Sequence, residues 1–265
     1  MTYKLAVIDL DGTLLGSDHT VSAVNADALR QAIGKGLSVV LASGRQHSNI
    51  AAFAHQIGLP ESTPIVSYNG ALIRTLSGET WFDEPLPAEA AARIVCEGQA
   101  LGRHLNYYLD DLLYIREETP WSRMYAERTG TTPHVIGDLT QLDGRQPTKI
   151  VLIDDKVVTN ELLPKFQTEF GDSLYITKTE NEYLEFMQAG VNKGVALALV
   201  AERLQVSAAD CVAFGDSYND IPLLQWAGLA VAMGNARPEL KAIADQIAPT
   251  NNENGVGRVL RELLG

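Results

Sequence analysis

Cysteine is nearly absent: only Cys96 and Cys211 occur among 265 residues. They lie far apart among apolar neighbours, so neither a disulfide framework nor a cysteine-based zinc site can be assembled. Both read as small buried hydrophobes. Long apolar runs are missing as well. The longest, Val195 to Ala201, falls far short of the ~20 residues of a membrane span. The apolar run near the N-terminus is broken at Asp9 and does not read as a secretory signal, so the expectation is a soluble, cytoplasmic chain. Positive charge is scarce, with 21 Lys and Arg against 33 Asp and Glu, a net of −12. That argues against nucleic acid, which asks for a basic face, and against docking on an anionic membrane. An anionic ligand would need local positive charge from a metal or a few placed cations.

Several motifs are also lacking. There is no Gly-x-x-x-x-Gly-Lys phosphate loop, no Gly-x-Ser-x-Gly elbow and no His-Glu-x-x-His helix. Gly34 with Gly36, and Gly255 with Gly257, lack the third glycine of a dinucleotide fingerprint. His19, His47, His55, His104 and His134 share no ligand spacing and read as surface or satisfied residues.

What is present is an ordinary globular composition, 46% apolar and 20% charged. The length suits one large or two modest domains that need no covalent staple. Leu5–Ile8, Leu37–Ala42 and Ile65–Ser67 are short continuous apolar runs, as in strands buried on both faces of a parallel sheet. Helical spacing follows Ser22 and recurs over 49–57. Strand and helix alternation is the grammar of a doubly wound α/β fold with a Rossmann-like, mainly parallel sheet. From about Asp83 the pattern changes to helices beside hairpin-like runs, including 105–109 and 112–115 joined at Asp110-Asp111. The alternation returns after Gly190. We therefore expect a catalytic core from 1–83 and 188–265, with an inserted α+β cap domain over 84–187.

The chemistry gathers at strand ends. The first strand runs into Asp9-Leu10-Asp11-Gly12-Thr13, whose alternate carboxylates can converge while Gly12 frees a sharp turn. The second runs into Ser43-Gly44-Arg45, a hydroxyl and amides suited to a phosphate. Lys193 follows Asn192 at a helix start, and Gly215-Asp216-Ser217-Tyr218-Asn219-Asp220 follows the run 211–214. Singly, each has a bland explanation: a turn, a solvated lysine, a helix cap at Asp220. Their conjunction beyond the carboxyl ends of one parallel sheet is what points to a site.

These four segments, in this order, resemble the motifs of the haloacid dehalogenase superfamily of phosphohydrolases. The large insertion, with Ser67-Tyr68-Asn69-Gly70-Ala71, Asn192-Lys193-Gly194 and Ala232-Met233-Gly234-Asn235-Ala236, is similar to its Cof-type sugar phosphatase branch. The resemblance implies that Asp9 is the nucleophile and forms an aspartyl phosphate. Asp11 would then protonate the leaving alkoxide and deprotonate the hydrolytic water. It implies Mg2+ held by Asp9, Asp11 and Asp216, with Asp220 sharing or supporting the site. Asp11 would contribute its backbone carbonyl and keep its side chain free. Ser43, the amides of Leu10 and Gly44, Lys193 and Asn219 would hold the phosphoryl oxygens.

The implied substrate is a small phosphorylated metabolite, with a sugar phosphate the leading class. Arg45 and Asn69, and from the cap Tyr114, Arg116 or Trp121, are candidate contacts to its leaving group. A phosphomutase uses the same parts and stays open, as do a phospho-accepting signalling module and a non-catalytic phosphate binder. Asp11 favours hydrolysis, because transport ATPases with a similar motif place Thr there and keep a longer-lived phosphoenzyme. Monomer and dimer are equally compatible with the sequence.

Overall fold

The computed structural model describes residues 3–265. The chain opens with β1 (Leu5–Asp9), α1 (Ala23–Gly34), β2 (Ser38–Ala42), α2 (His47–Ile57), β3 (Pro64–Ser67), β4 (Leu72–Thr75) and β5 (Thr80–Asp83). A middle stretch adds α3 (Ala88–Ala100), β6 (His104–Leu109), β7 (Leu112–Ile115), α4 (Pro120–Thr129) and β8 (Pro133–Val135). It continues with β9 (Lys149–Ile153), α5 (Lys156–Phe170), β10 (Leu174–Lys178) and β11 (Tyr183–Gln188). The last part is α6 (Lys193–Arg203), β12 (Cys211–Gly215), α7 (Ile221–Trp226), β13 (Leu229–Ala232), α8 (Pro238–Ile243), β14 (Gln246–Ile247) and α9 (Gly255–Leu264). One compact unit runs up to Phe82 and resumes at Asn192; the other spans Asp83–Val191. The return point falls later than the expected 188, because β11 stays paired with β10 as far as Gln188 opposite Leu174.

The first unit holds an eight-stranded sheet in the order β14-β13-β12-β1-β2-β3-β4-β5. β1 lies parallel between β12 and β2, with Ile8 opposite both Phe214 and Leu41. All five residues of β1 and of β12 are buried, which is why these segments read as unbroken apolar runs. The chain leaves β1 for β2 on one side and later fills the other side with β12. That reversal makes the carboxyl ends of β1 and β12 a topological switch point, where such sheets leave a crevice. Ser22 caps α1 by accepting from Asn25 N at 3.1 Å, as its position suggested.

The second unit is a six-stranded sheet, β10-β11-β9-β6-β7-β8, antiparallel except between β7 and β8. Asp110 and Asp111 both adopt left-handed φ values, 53° and 59°, as a two-residue hairpin loop requires. Tyr107, Leu152 and Phe186 of the sheet pack with Ile94 of α3 and Phe166 of α5. Among the intervening side chains, Lys149 and Glu185 form a buried ion pair at 3.2 Å. The short strands β5, β8 and β14 had no counterpart in the sequence pattern, since two to four residues carry too little periodicity.

One cysteine departs from expectation. Cys96 is exposed, because α3 turns Ala91, Ile94, Val95 and Gly98 inward and leaves 96 on its solvent side. Cys211 is buried in β12, and burial pushes its thiol up to about 11. His47 and His104 are buried and hydrogen-bonded, His47 to Ser67 Oγ at 3.1 Å and His104 to Asn106 at 3.0 Å. Among the described residues, no helix is long and apolar enough to cross a membrane.

Candidate active site

Past Asp9 the chain coils through residues 10–14 and closes with Leu15 N donating to Leu10 O at 2.9 Å. Gly12 permits this at φ 76°, and a Cβ there would lie 2.4 Å from Asp216 Oδ2. The glycine thus serves the turn and makes room for the opposing carboxylate. Thr13 Oγ1 donates to Asp216 Oδ1 at 3.2 Å, joining the two loops. Beyond β12, Asp220 Oδ2 accepts the amides of Asp216 and Ser217 at 3.0 and 3.1 Å and folds that loop back. Asp220 Oδ1 accepts from Lys193 Nζ at 2.6 Å. Asp220 is therefore both a loop former and a member of the charged cluster.

Lys193 opens α6, whose start is capped by Asn192 Oδ1 accepting from Val195 N at 2.9 Å. Its side chain is fully buried, and Nζ also donates to Asp9 Oδ1 at 2.6 Å. One oxygen each of Asp9, Asp216 and Asp220 lies within 4.8 Å of the others. Burial first, then the Asp220 charge, holds the Asp9 carboxyl well above its ordinary pKa, against the pull of Lys193. Burial and Asp220 likewise raise Asp216 to about 7. Burial opposes the Lys193 ammonium, but Asp220 and Asp9 outweigh it and raise its pKa. Three carboxylates against one ammonium leave negative charge uncompensated. Hard oxygen donors at this spacing fit a small divalent cation, which would offset that charge.

A pH dependence follows. An acid whose folded pKa exceeds its unfolded value stabilises the fold only while protonated, and the benefit fades as pH rises from about 4 through its folded pKa. With chelator, Asp9 and Asp216 should therefore weigh against the fold increasingly as pH approaches and passes 7. A divalent cation held by these carboxylates would replace the missing protons, so its Tm gain should be larger at pH 8 than at pH 5.5. Thermal melts with and without magnesium check this; an equal gain at both values would contradict it.

Ser43 follows β2 and is buried, its hydroxyl accepting from Arg45 N at 3.2 Å. Gly44 abuts Asn69, where a Cβ would meet Oδ1 at 3.0 Å, and Asn219 Nδ2 donates to that same Oδ1 at 2.9 Å. Leu10 and Asn219 thus fall on the loops that carry the carboxylates, Ser43 and Gly44 on the loop after β2, and Lys193 at the start of α6. The Asp11 side chain stands apart. It is half-exposed, outside the three-carboxylate cluster, and gripped by Arg45 through Nε at 2.7 Å and Nη2 at 2.6 Å. The side chain expected to stay off the metal for proton transfer is held here in a bidentate ion pair. Arg45 also lies 5.7 Å over the Phe53 ring. Tyr114, Arg116 and Trp121 belong to the second unit, where Tyr114 packs on His134 and Arg116 faces Glu117 at 3.8 Å.

Sequence reasoning passed over two supporting residues. Thr13 has no role of its own in the motif, yet it holds Asp216. Asn235 donates to Gly12 O at 2.8 Å and accepts from Asn251 N at 3.0 Å, bracing the first loop from the far side of the sequence. Its signal was the Gly234-Asn235 step after a strand.

The site is thus a buried carboxylate cluster threaded by one lysine, at the switch point of a doubly wound sheet, the place where such folds carry their ligands. Comparison with known proteins agrees. The family model for haloacid dehalogenase-like hydrolases matches residues 6–260. The 5-amino-6-(5-phospho-D-ribitylamino)uracil phosphatase YitU of Bacillus subtilis is 30% identical over 97% of this chain and 96% of its own length. The HMP-PP phosphatase of Cronobacter sakazakii is 30% identical over 90% of this chain and 87% of its own. A haloacid dehalogenase-like hydrolase from Bacteroides thetaiotaomicron superposes with a TM-score of 0.93 at 27% identity, covering 98% of this chain and 99% of that one. The chain belongs to the haloacid dehalogenase-like hydrolases. Within them it is a Cof-type phosphatase, a phosphoric monoester hydrolase.

Proposed function

We propose that this enzyme hydrolyses a small phosphorylated metabolite, a sugar or polyol phosphate, with magnesium and through an aspartyl-phosphate intermediate. The observation that carries the reading is the buried cluster of Asp9, Asp216 and Asp220 around Lys193. A carboxylate oxygen of Asp9 attacks phosphorus as the bond to the leaving oxygen breaks, and Asp11 delivers its proton to that oxygen. Asp11 then takes a proton from water, whose oxygen attacks phosphorus and releases phosphate with Asp9 restored. For both transfers the Asp11 carboxylate has to leave Arg45. Ser43, the amides of Leu10 and Gly44, Lys193 and Asn219 hold the phosphoryl oxygens. Asp9, Asp216 and the Asp11 carbonyl would hold the cation, with Asp220 steadying that shell; when bound it supplies positive charge against the phosphoryl group.

Leaving-group selectivity is assigned to residues 83–191, whose sequence carries no phosphoryl chemistry, together with Arg45. The polyol-phosphate class draws support from the ribityl phosphate in the name of the Bacillus relative. The test is phosphate release from p-nitrophenyl phosphate and from a panel of sugar and polyol monophosphates, each with magnesium or with chelator. Turnover is expected with magnesium alone. Turnover indifferent to chelator would overturn the reading.

A further inference from the structure

Between β3 and β4 lies a turn of three successive left-handed residues, Tyr68, Asn69 and Gly70, with φ of 51°, 57° and 107°. Tyr68 and Asn69 are both buried. Side-chain-bearing residues adopt this region reluctantly, and two in a row persist only where surrounding contacts impose them. Those contacts reach the phosphoryl-holding loops. Tyr68 N donates to Arg45 O and Asn69 N to Ser43 O, each at 3.0 Å, so the turn hangs from the loop after β2. The Asn69 side chain backs Gly44 and accepts from Asn219 Nδ2 at 2.9 Å. Gly70 presses on Asn192, the cap in front of Lys193, so closely that a Cβ would stand 2.6 Å from Asn192 O.

From this geometry we infer that Asn69 is a positioning residue that acts through Asn219, and that the turn is the brace setting Ser43, Gly44, Lys193 and Asn219 at one spacing. It replaces the expectation that Asn69 touches the leaving group. The reason lies in its acceptor oxygen, which is committed to the Asn219 amide. An unrestrained Asn219 could rotate its amide away; with one hydrogen taken by Asn69, the other is aimed. This assignment rests on the phosphoryl-holding role given above to Asn219.

Asn69→Gly is the informative variant, because glycine keeps the left-handed backbone and removes only the side chain. Asn69→Gly, Asn219→Ala and the double variant would be compared by inhibition with inorganic phosphate, using p-nitrophenyl phosphate as reporter. A thermal melt against magnesium alone runs beside it. Asn69→Gly should weaken phosphate roughly tenfold, about the worth of one aimed hydrogen bond to a charged group. In the Asn219→Ala background its further effect should be less than about twofold. The magnesium midpoint should not move, since the three clustered carboxylates are held by Lys193, Thr13 and the amides of Asp216 and Ser217. Equal penalties in both backgrounds would overturn the assignment in favour of direct contact. A shifted magnesium midpoint would overturn it in favour of general loosening. Unchanged phosphate affinity in Asn219→Ala alone would instead remove the role of Asn219 and the assignment built on it.

Discussion

Asp9→Asn is expected to lose at least about a thousandfold in turnover, the scale of deleting a nucleophile, yet to melt no lower than the wild type in chelator. The two halves have one cause. Asp9 is buried beside Asp216 and Asp220, and its carboxyl is held well above the ordinary value, so its ionised form costs the fold free energy near neutral pH. Asparagine keeps the shape and an oxygen to accept from Lys193 while deleting that charge. Catalysis has no such substitute, because a neutral amide oxygen does not form the acyl phosphate. The melting gain from magnesium should also shrink, one anionic donor having gone. Steady-state turnover and paired melts measure all three. A variant with wild-type turnover would remove Asp9 from the mechanism.

Lys193→Met should be the most destabilising single change in the site. The ammonium is fully buried and donates at 2.6 Å to both Asp9 and Asp220. Removing one partner of a buried ionic cluster leaves like charges facing each other without relief, a loss of about 3 kcal/mol or more. The loss should be largest near pH 8 and ease toward pH 5, as Asp9 and Asp216 take up protons in the folded state. Urea unfolding at the two pH values, in chelator, gives the comparison. Turnover should fall at least about a hundredfold, since a preorganised cation facing the phosphoryl oxygens is lost with it. A loss of stability that is equal at both values would mean that packing, and not charge, explains the burial of Lys193.

Much of the molecule could be read in advance for identifiable reasons. β1, β2 and β12 are buried on both faces, so each shows as an apolar run whose end marks where loops begin. The chemistry gathers beyond those strands: Asp9, Ser43 and Asp216 were legible by following strand ends, whereas Lys193 opens α6 and follows no strand of that sheet. The hairpin at Asp110-Asp111 announced itself through residues that tolerate left-handed φ. The edge strands β5, β8 and β14 were not legible, because short edge segments are defined by pairing rather than by pattern. Cys96 was misread because apolar neighbours in sequence do not decide which side of a helix faces water.

By itself the sequence determined the doubly wound class, since periodicity is a local property of the chain, and it pointed to an inserted segment and to the residue types of a candidate site. Only the tertiary structure decided how those groups pair. It turned Lys193 from a lysine of ordinary surface type into a buried bridge between Asp9 and Asp220. It drew Asp11 out to Arg45, and gave Asn69 to Asn219 across 150 residues of chain. Such pairings depend on which loops the sheet order brings together and on the charge each buried group must offset, and neither is written in any short stretch of the chain.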